Sequence, residues 1–459
     1  MTTTKLESNA EERTCKNGSC QFCVVATIDE EINQVVATRN DLRSEQNRAH
    51  DPVHRLPDEL KNHIFELLLP LQDEWGKIRR TERTVMPTYL TSICRGWRDI
   101  AWSNPFLWSK MHIVLGRSTS DQSKFVHDWI MRSRTLPLTF HIEVLDRSDG
   151  GLERSRKILP PVLDAMSHCS NRLQSLSIDV PFATLCAFQH SNIQWHHLMR
   201  LRIVMFPPHG QIYQPLSFLN PTAIPEKIEV GHLFPKSLQI SWNRLSSATV
   251  SFWGLEDIAQ LFQHASQMTN CRIVYATYGS RSFSMPPIIH PRLKTLSLHS
   301  ADDEDMAPAL LGSLTLPCLQ DFDTDEMMSL MDLPALVHRS SCPLTTLTLL
   351  HDPEADSVVL DGLQPLPGVT DLVVESLEQG CQVAMINKLL LEEYFPDLRH
   401  LTLRLEPFLL LWAKDDILLY LDRKRPRSDG PNKGRLHKFL VIDEDQTSNF
   451  EEMWNSCRG

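Results

Sequence analysis

The chain has 459 residues, 42% of them hydrophobic and 22% charged, with a net charge of −11. Length gives a prior of about three domains, and the acidic balance argues against nucleic acid or an anionic membrane as the main partner. The first residues are polar, no apolar run approaches the roughly 18 residues of a membrane span, and the 11 cysteines are mostly scattered, as expected of reduced thiols in the cytoplasm or nucleus.

Residues 1–27 read as a disordered tail. Cys15, Cys20 and Cys23 have metal-like spacing, but a structural zinc site needs four ligands. The nearest histidine is His50, and no metal is expected. Over 28–50, Ile28, Ile32, Val35, Leu42 and Ala49 follow alternating steps of four and three, with Arg39 and Gln46 at two core positions. This is a short, imperfect heptad seam. A coiled coil and a helix docked on its neighbour both fit, and the polar interruptions favour docking.

The next stretch, 52–110, opens with Arg55-Leu56-Pro57-Asp58-Glu59-Leu60. Proline at the first helical position and acids in the first turn mark a helix start. Leu60, Ile64, Leu67 and Leu68 make one apolar stripe, with Phe65 and Leu69 on a second face. Two apolar faces suggest one buried inside and one offered to a partner. Leu90, Ile93, Cys94, Trp97 and Ala101 recur at helical spacing, and Asn104-Pro105-Phe106-Leu107-Trp108 follows.

The order Leu-Pro-x-Glu-Leu, Ile-Phe, Cys-Arg-x-Trp-Arg-x-Ile-Ala, Pro-x-Leu-Trp resembles the F-box, in the form common in fungal families. It departs from the compact motif in the long charged loop from Gln72 to Met86. The resemblance implies docking on a Skp-family adaptor, with Leu56, Pro57, Leu60, Ile64, Phe65 and Leu68 contacting it or supporting that contact, and Cys94, Trp97 and Trp108 completing the surface.

From 111 to 459 the chain alternates strand-like and helix-like segments. Met111–Leu115 and Leu138–Val144 read as strands, with Phe125–Arg132 as a helix between them. A unit Leu-x-x-Leu-x-Leu then recurs: Leu173/Leu176/Ile178, Leu198/Leu201/Ile203, and weaker copies at Leu245/Ala248/Val250 and Met268/Cys271/Ile273. It continues at Leu293/Leu296/Leu298, Leu319/Phe322, Leu344/Leu347/Leu349, Val369/Leu372/Val374, Leu398/Leu401/Leu403 and Leu436/Phe439/Val441. Copies mostly fall about 25 residues apart, the period of leucine-rich repeats. One copy is absent between Ile203 and Leu245, where Ile224–Val230 is a poor match. Amphipathic segments such as Leu255–Met268 and Val383–Tyr394 suit returning helices. The expected fold is α/β: a small helical F-box, then a degenerate leucine-rich-repeat solenoid of parallel strands and outer helices.

No phosphate-binding glycine loop, nucleophile elbow or His-Glu-x-x-His occurs. His196-His197 reads as a turn and Arg423–Arg427 as a solvated basic loop or an import signal. No catalytic residue or cofactor is therefore expected. The leading expectation is a non-catalytic substrate receptor of an SCF-type cullin-RING ubiquitin ligase, bound to protein substrate through the repeats. The alternative is a scaffold that uses the adaptor without promoting ubiquitination. Residues between the strand leucines should alternate onto the open face. There Asp321, Asp323, Asp371 and Glu375 are expected to receive a basic substrate segment.

Overall fold

The computed structural model describes residues 21–50, 55–69, 71–72, 78–79, 87–116, 122–191, 193–206, 223–276, 285–299, 306–325, 327–351, 365–376, 394–404 and 438–442. Two compact units emerge, Met1–Leu69 with Met86–Ser103, and Pro70–Val85 with Asn104–Gly459.

The first unit is helical: α1 (Gln21–His50), α2 (Asp58–Leu67), α3 (Pro87–Ile93) and α4 (Arg95–Ser103). Helix α1 starts at Gln21, so 21–27 is helical rather than tail. Its residues are exposed wherever they are described, including Ile28, Ile32, Val35 and Leu42. The heptad seam is thus not docked on α2–α4. Pro57 caps α2 from just outside, its carbonyl accepting from the Leu60 and Lys61 amides at 3.1 Å. Asp58 and Glu59 lie in the first turn, where the helix dipole favours negative charge. Cys94 separates α3 from α4, and the Arg98 guanidinium reaches back to the Thr91 carbonyl at 2.8 Å. That bond ties the two short helices together across the break.

The second unit opens with a two-residue antiparallel pair, β1 (Leu71–Gln72) and β2 (Ile78–Arg79). A 3-10 turn over Pro105–Trp108 follows, capped by the Asn104 carboxamide accepting from the Phe106 amide at 3.0 Å. The strands then run β3 (Lys110–Leu115), β4 (Leu138–Val144), β5 (Leu173–Pro181), β6 (Arg200–Phe206), β7 (Lys227–Gly231), β8 (Ser247–Ser251) and β9 (Asn270–Val274). They continue as β10 (Ile288–Ile289), β11 (Thr295–His299), β12 (Leu314–Thr315), β13 (Asp321–Thr324), β14 (Thr346–His351), β15 (Asp371–Ser376), β16 (His400–Arg404) and β17 (Lys438–Ile442). Strands β10 and β12 form a small parallel pair. The other thirteen from β3 onward build one sheet in chain order, with every pairing parallel.

Register follows the leucine spacing. Leu176, Leu201, Ile228, Ala248, Cys271, Leu296, Phe322, Leu347, Leu372 and Leu401 pair in one row, and all are buried. Ile178, Ile203, Val230, Val250, Ile273 and Leu298 make a second row two residues on. Ahead of the strands, backbone amides bond from copy to copy at 2.8–2.9 Å: Met199 to Gln174, Glu226 to Met199, Ser246 to Glu226, Thr269 to Ser246, Lys294 to Thr269, Gln320 to Lys294, Thr345 to Gln320, Thr370 to Thr345 and Arg399 to Thr370. Each strand therefore satisfies its neighbour's backbone before pairing begins.

The gap in the sequence pattern is filled. Strand β7 supplies Ile228 and Val230 between β6 and β8. Its β-branched residues serve the same packing positions without leucine, which is why the pattern missed it. Strands β3 and β4 are the first two members of the same sheet. The expected helices appear as α5 (Gln122–Arg132) and, after α6 (Asp149–Ser167), α7 (Phe182–Leu185) and α8 (Pro235–Leu238), as α9 (Leu255–His264). Two more, α10 (Met306–Ser313) and α11 (Met327–Ser340), follow. The expected helix over 383–394 falls almost wholly outside the described residues, as do the Arg423–Arg427 run and the side chains of the N-terminal cysteines.

Candidate functional site

In the helical unit, Phe65 is 1% exposed and meets the Trp97 ring with centroids 5.0 Å apart. That contact anchors one face of α2. Leu60, Ile64 and Leu67 recur at i, i+4 and i+7 and are 50%, 40% and 72% exposed, so they form a continuous apolar stripe. Pro57 and Cys94 are also exposed, while Leu56, Leu68 and Trp97 are half-buried. Tyr89, Ile93 and Trp102 add further exposed apolar surface.

Trp108 has a different place. It belongs with the sheet unit and is 1% exposed, packed edge-on to Trp129 at 4.8 Å with the Arg132 guanidinium 5.0 Å over its ring. A fully buried ring offers no docking surface, so its expected role as an adaptor contact is corrected to packing beside β3. Phe65 lies below the stripe, packed on Trp97, where it can only support a contact and not make one.

In the sheet unit, the face opposite the leucine rows carries polar side chains. Asp321, Asp323 and Asp371 share it, as the alternation implied. The Glu375 side chain lies outside the described residues. These acids are not bare charges. Asp321 accepts from the Thr295 hydroxyl at 3.3 Å, and Asp323 lies 3.2 Å from His299 Nε2. His299 Nδ1 is 3.8 Å from Asp325, and His400 Nδ1 sits 2.6 Å from Asp371. His299 thus lies between two carboxylates, Asp323 and Asp325. Earlier in the sheet, Arg202 bridges Asp179 at 3.5 Å and Glu229 at 3.0 Å, with its side chain 9% exposed.

A second polar cluster escaped the sequence reading. His112 and His141 are register partners on β3 and β4, their rings stacked at 4.5 Å with planes 5° apart. Glu143, two residues beyond His141 and so on the same face, comes within 2.7 Å of His112 Nε2. Their ligand atoms lie within 4.8 Å of one another, the one such group of three among the described residues. The available signal was His141-x-Glu143 inside a segment already read as a strand. The partner His112 lies 29 residues earlier, and only sheet register brings it alongside. His196 and His197 do occupy an exposed turn.

No helix among the described residues is long and apolar enough to cross a membrane. In comparisons with known proteins, no family model matches the chain and no curated protein is significantly similar to it.

Proposed function

We propose that the chain is a substrate-receptor subunit of an SCF-type cullin-RING ubiquitin ligase. In this reading α2–α4 act as an F-box on a Skp-family adaptor, and the repeats form a degenerate leucine-rich-repeat solenoid that holds a protein substrate. The observation that carries the reading is the exposed stripe Leu60, Ile64 and Leu67 on a helix whose other face is pinned by Phe65. Contiguous exposed apolar surface on a folded unit marks a docking site, and it coincides with the ordered residues that resemble the F-box. The receptor contributes proximity between substrate and the charged conjugating enzyme. The polar sheet face, with Asp321, Asp323 and Asp371, is the surface assigned to substrate.

The test is affinity capture of wild type beside Leu60→Asp/Ile64→Asp in proteasome-inhibited cells. Adaptor recovery should fall with the double substitution, and captured partners should carry ubiquitin only with wild type. Unchanged adaptor recovery would remove the F-box reading. Partners that bind through the repeats and never gain ubiquitin would leave a non-degradative scaffold.

A further inference from the structure

We propose that His112, His141 and Glu143 bind a divalent transition-metal ion of the zinc class and that this ion clips the sheet's first strand to its second. The site does not depend on the ubiquitin-ligase reading. Three things carry it: donor type, placement and burial.

Two imidazole nitrogens and one carboxylate oxygen are the donor set of borderline divalent ions. Magnesium and calcium prefer shells of oxygen, and copper(I) prefers sulfur. Three protein ligands leave a fourth position for water.

Register sets the placement. Adjacent paired positions send both rings off one face, and His141 and Glu143 at i and i+2 share that face. A tetrahedral ion with bonds of about 2.0–2.1 Å holds neighbouring donors about 3.3 Å apart. The three donor atoms lie within 4.8 Å of each other. The stacked rings, whose planes are 5° apart, must turn about their side-chain torsions to bring both nitrogens to one ion, because an imidazole ligates in its ring plane.

Burial separates this group from an ordinary surface cluster. The side chain of His112 is 3% exposed and that of Glu143 is 18% exposed, while His141 is 1% exposed. His112 Nδ1 is buried with no hydrogen-bond partner among the described residues. A carboxylate held in this environment favours a cation beside it. Among the described residues strand β3 lies at the end of the sheet with β4 as its one sheet neighbour, and an edge strand has one ladder side unpaired. A bond from His112 through the ion to His141 and Glu143 ties that edge down across the pairing.

The experiment uses the full chain, stripped of metal and carrying Cys20→Ser/Cys23→Ser so that the N-terminal thiols do not compete. Titration with Zn2+ should show one equivalent bound and a rise in melting temperature. Co2+ should give visible bands of a four- or five-coordinate nitrogen/oxygen site, without thiolate charge transfer. Glu143→Gln, which keeps shape and removes charge, and His112→Ala should each weaken Zn2+ binding at least about tenfold. Far-UV circular dichroism reports whether each variant is folded, and Glu143→Gln carries the test should His112→Ala not fold. Absence of stoichiometric Zn2+ or Co2+ binding to the folded parent would overturn the proposal. So would binding undiminished in folded Glu143→Gln.

Discussion

Phe65 and Trp97 meet with ring centroids 5.0 Å apart and planes tilted by 46°, and this contact separates the two faces of α2. Phe65 is buried, whereas Ile64 beside it and Leu60, one turn before Ile64, are open to solvent. Substitutions on the two faces should therefore fail differently. Phe65→Ala removes a buried ring and should cost about 3–5 kcal/mol, more than so small a helical unit is expected to tolerate. Leu60→Ala on the exposed face should change stability by about 0.5 kcal/mol or less and still reduce adaptor capture. Hydrogen exchange over 58–103 distinguishes them: Phe65→Ala should lose protection, and Leu60→Ala should keep it. Equal protection loss in both would mean the stripe is structural.

The entry to α2 gives a second adaptor test. Leu56 is half-buried and Pro57 exposed just ahead of the helix. Leu56→Ala with Pro57→Ala should weaken adaptor binding by roughly thirtyfold, which corresponds to about 2 kcal/mol. The repeat unit should melt as in wild type. Quantitative pull-down against adaptor concentration measures the first, and calorimetry the second.

Substrate capture should respond to the acidic positions of the sheet. Changing Asp321, Asp323 and Asp371 to Asn and Glu375 to Gln removes up to four charges from one region. If the substrate presents a basic segment there, capture should weaken and lose much of its salt dependence, with adaptor binding unchanged. Equal binding of wild type and variant at low salt would reduce these acids to a solvated surface. Their histidine and threonine partners already suit that local role.

Arg202 offers a stability test free of any functional assumption. Its guanidinium reaches Asp179, Glu229 and, at 3.4 Å, the Ser177 hydroxyl. Arg202→Ala leaves two largely buried carboxylates without their shared cation, and breaking such an arrangement costs about 3–5 kcal/mol. Urea unfolding should show a clear fall in midpoint. A shift of only a few tenths of a kcal/mol would mean the pair is solvated enough to relax.

His290 makes stability depend on pH. The ring is 1% exposed, its Nε2 lies 3.0 Å from the Ala265 carbonyl, and it packs edge-on to Phe262. Burial lowers its pKa below the ordinary 6.5, with the backbone bonds opposing in part. The unfolded chain thus binds the proton more readily than the folded one. The stabilising contribution is complete above about pH 6.5 and is lost as pH falls below it towards the folded pKa. His290→Gln should flatten that portion of the stability–pH curve. An unchanged slope would assign the acid sensitivity to other groups.

Periodicity alone determined the strand positions from Leu173 onward, apart from β7 and the short β10–β12 pair, because a buried parallel strand presents the same apolar positions in every copy. It also determined the polar face, since alternation is a property of the strand itself. Helix α2 was legible as two-faced, but only packing decided which face is open: Phe65 and Ile64 are adjacent in sequence, and Trp97, beyond the long loop, selects Phe65. Tertiary structure likewise placed Trp108 in the sheet unit, against Trp129 and Arg132 rather than at a surface. It recovered β7, where isoleucine and valine fill leucine positions with no leucine motif to reveal them. The His112–His141–Glu143 cluster was decided wholly by register. Two histidines 29 residues apart become neighbours because β3 and β4 pair in parallel, with a connection whose length no local pattern records.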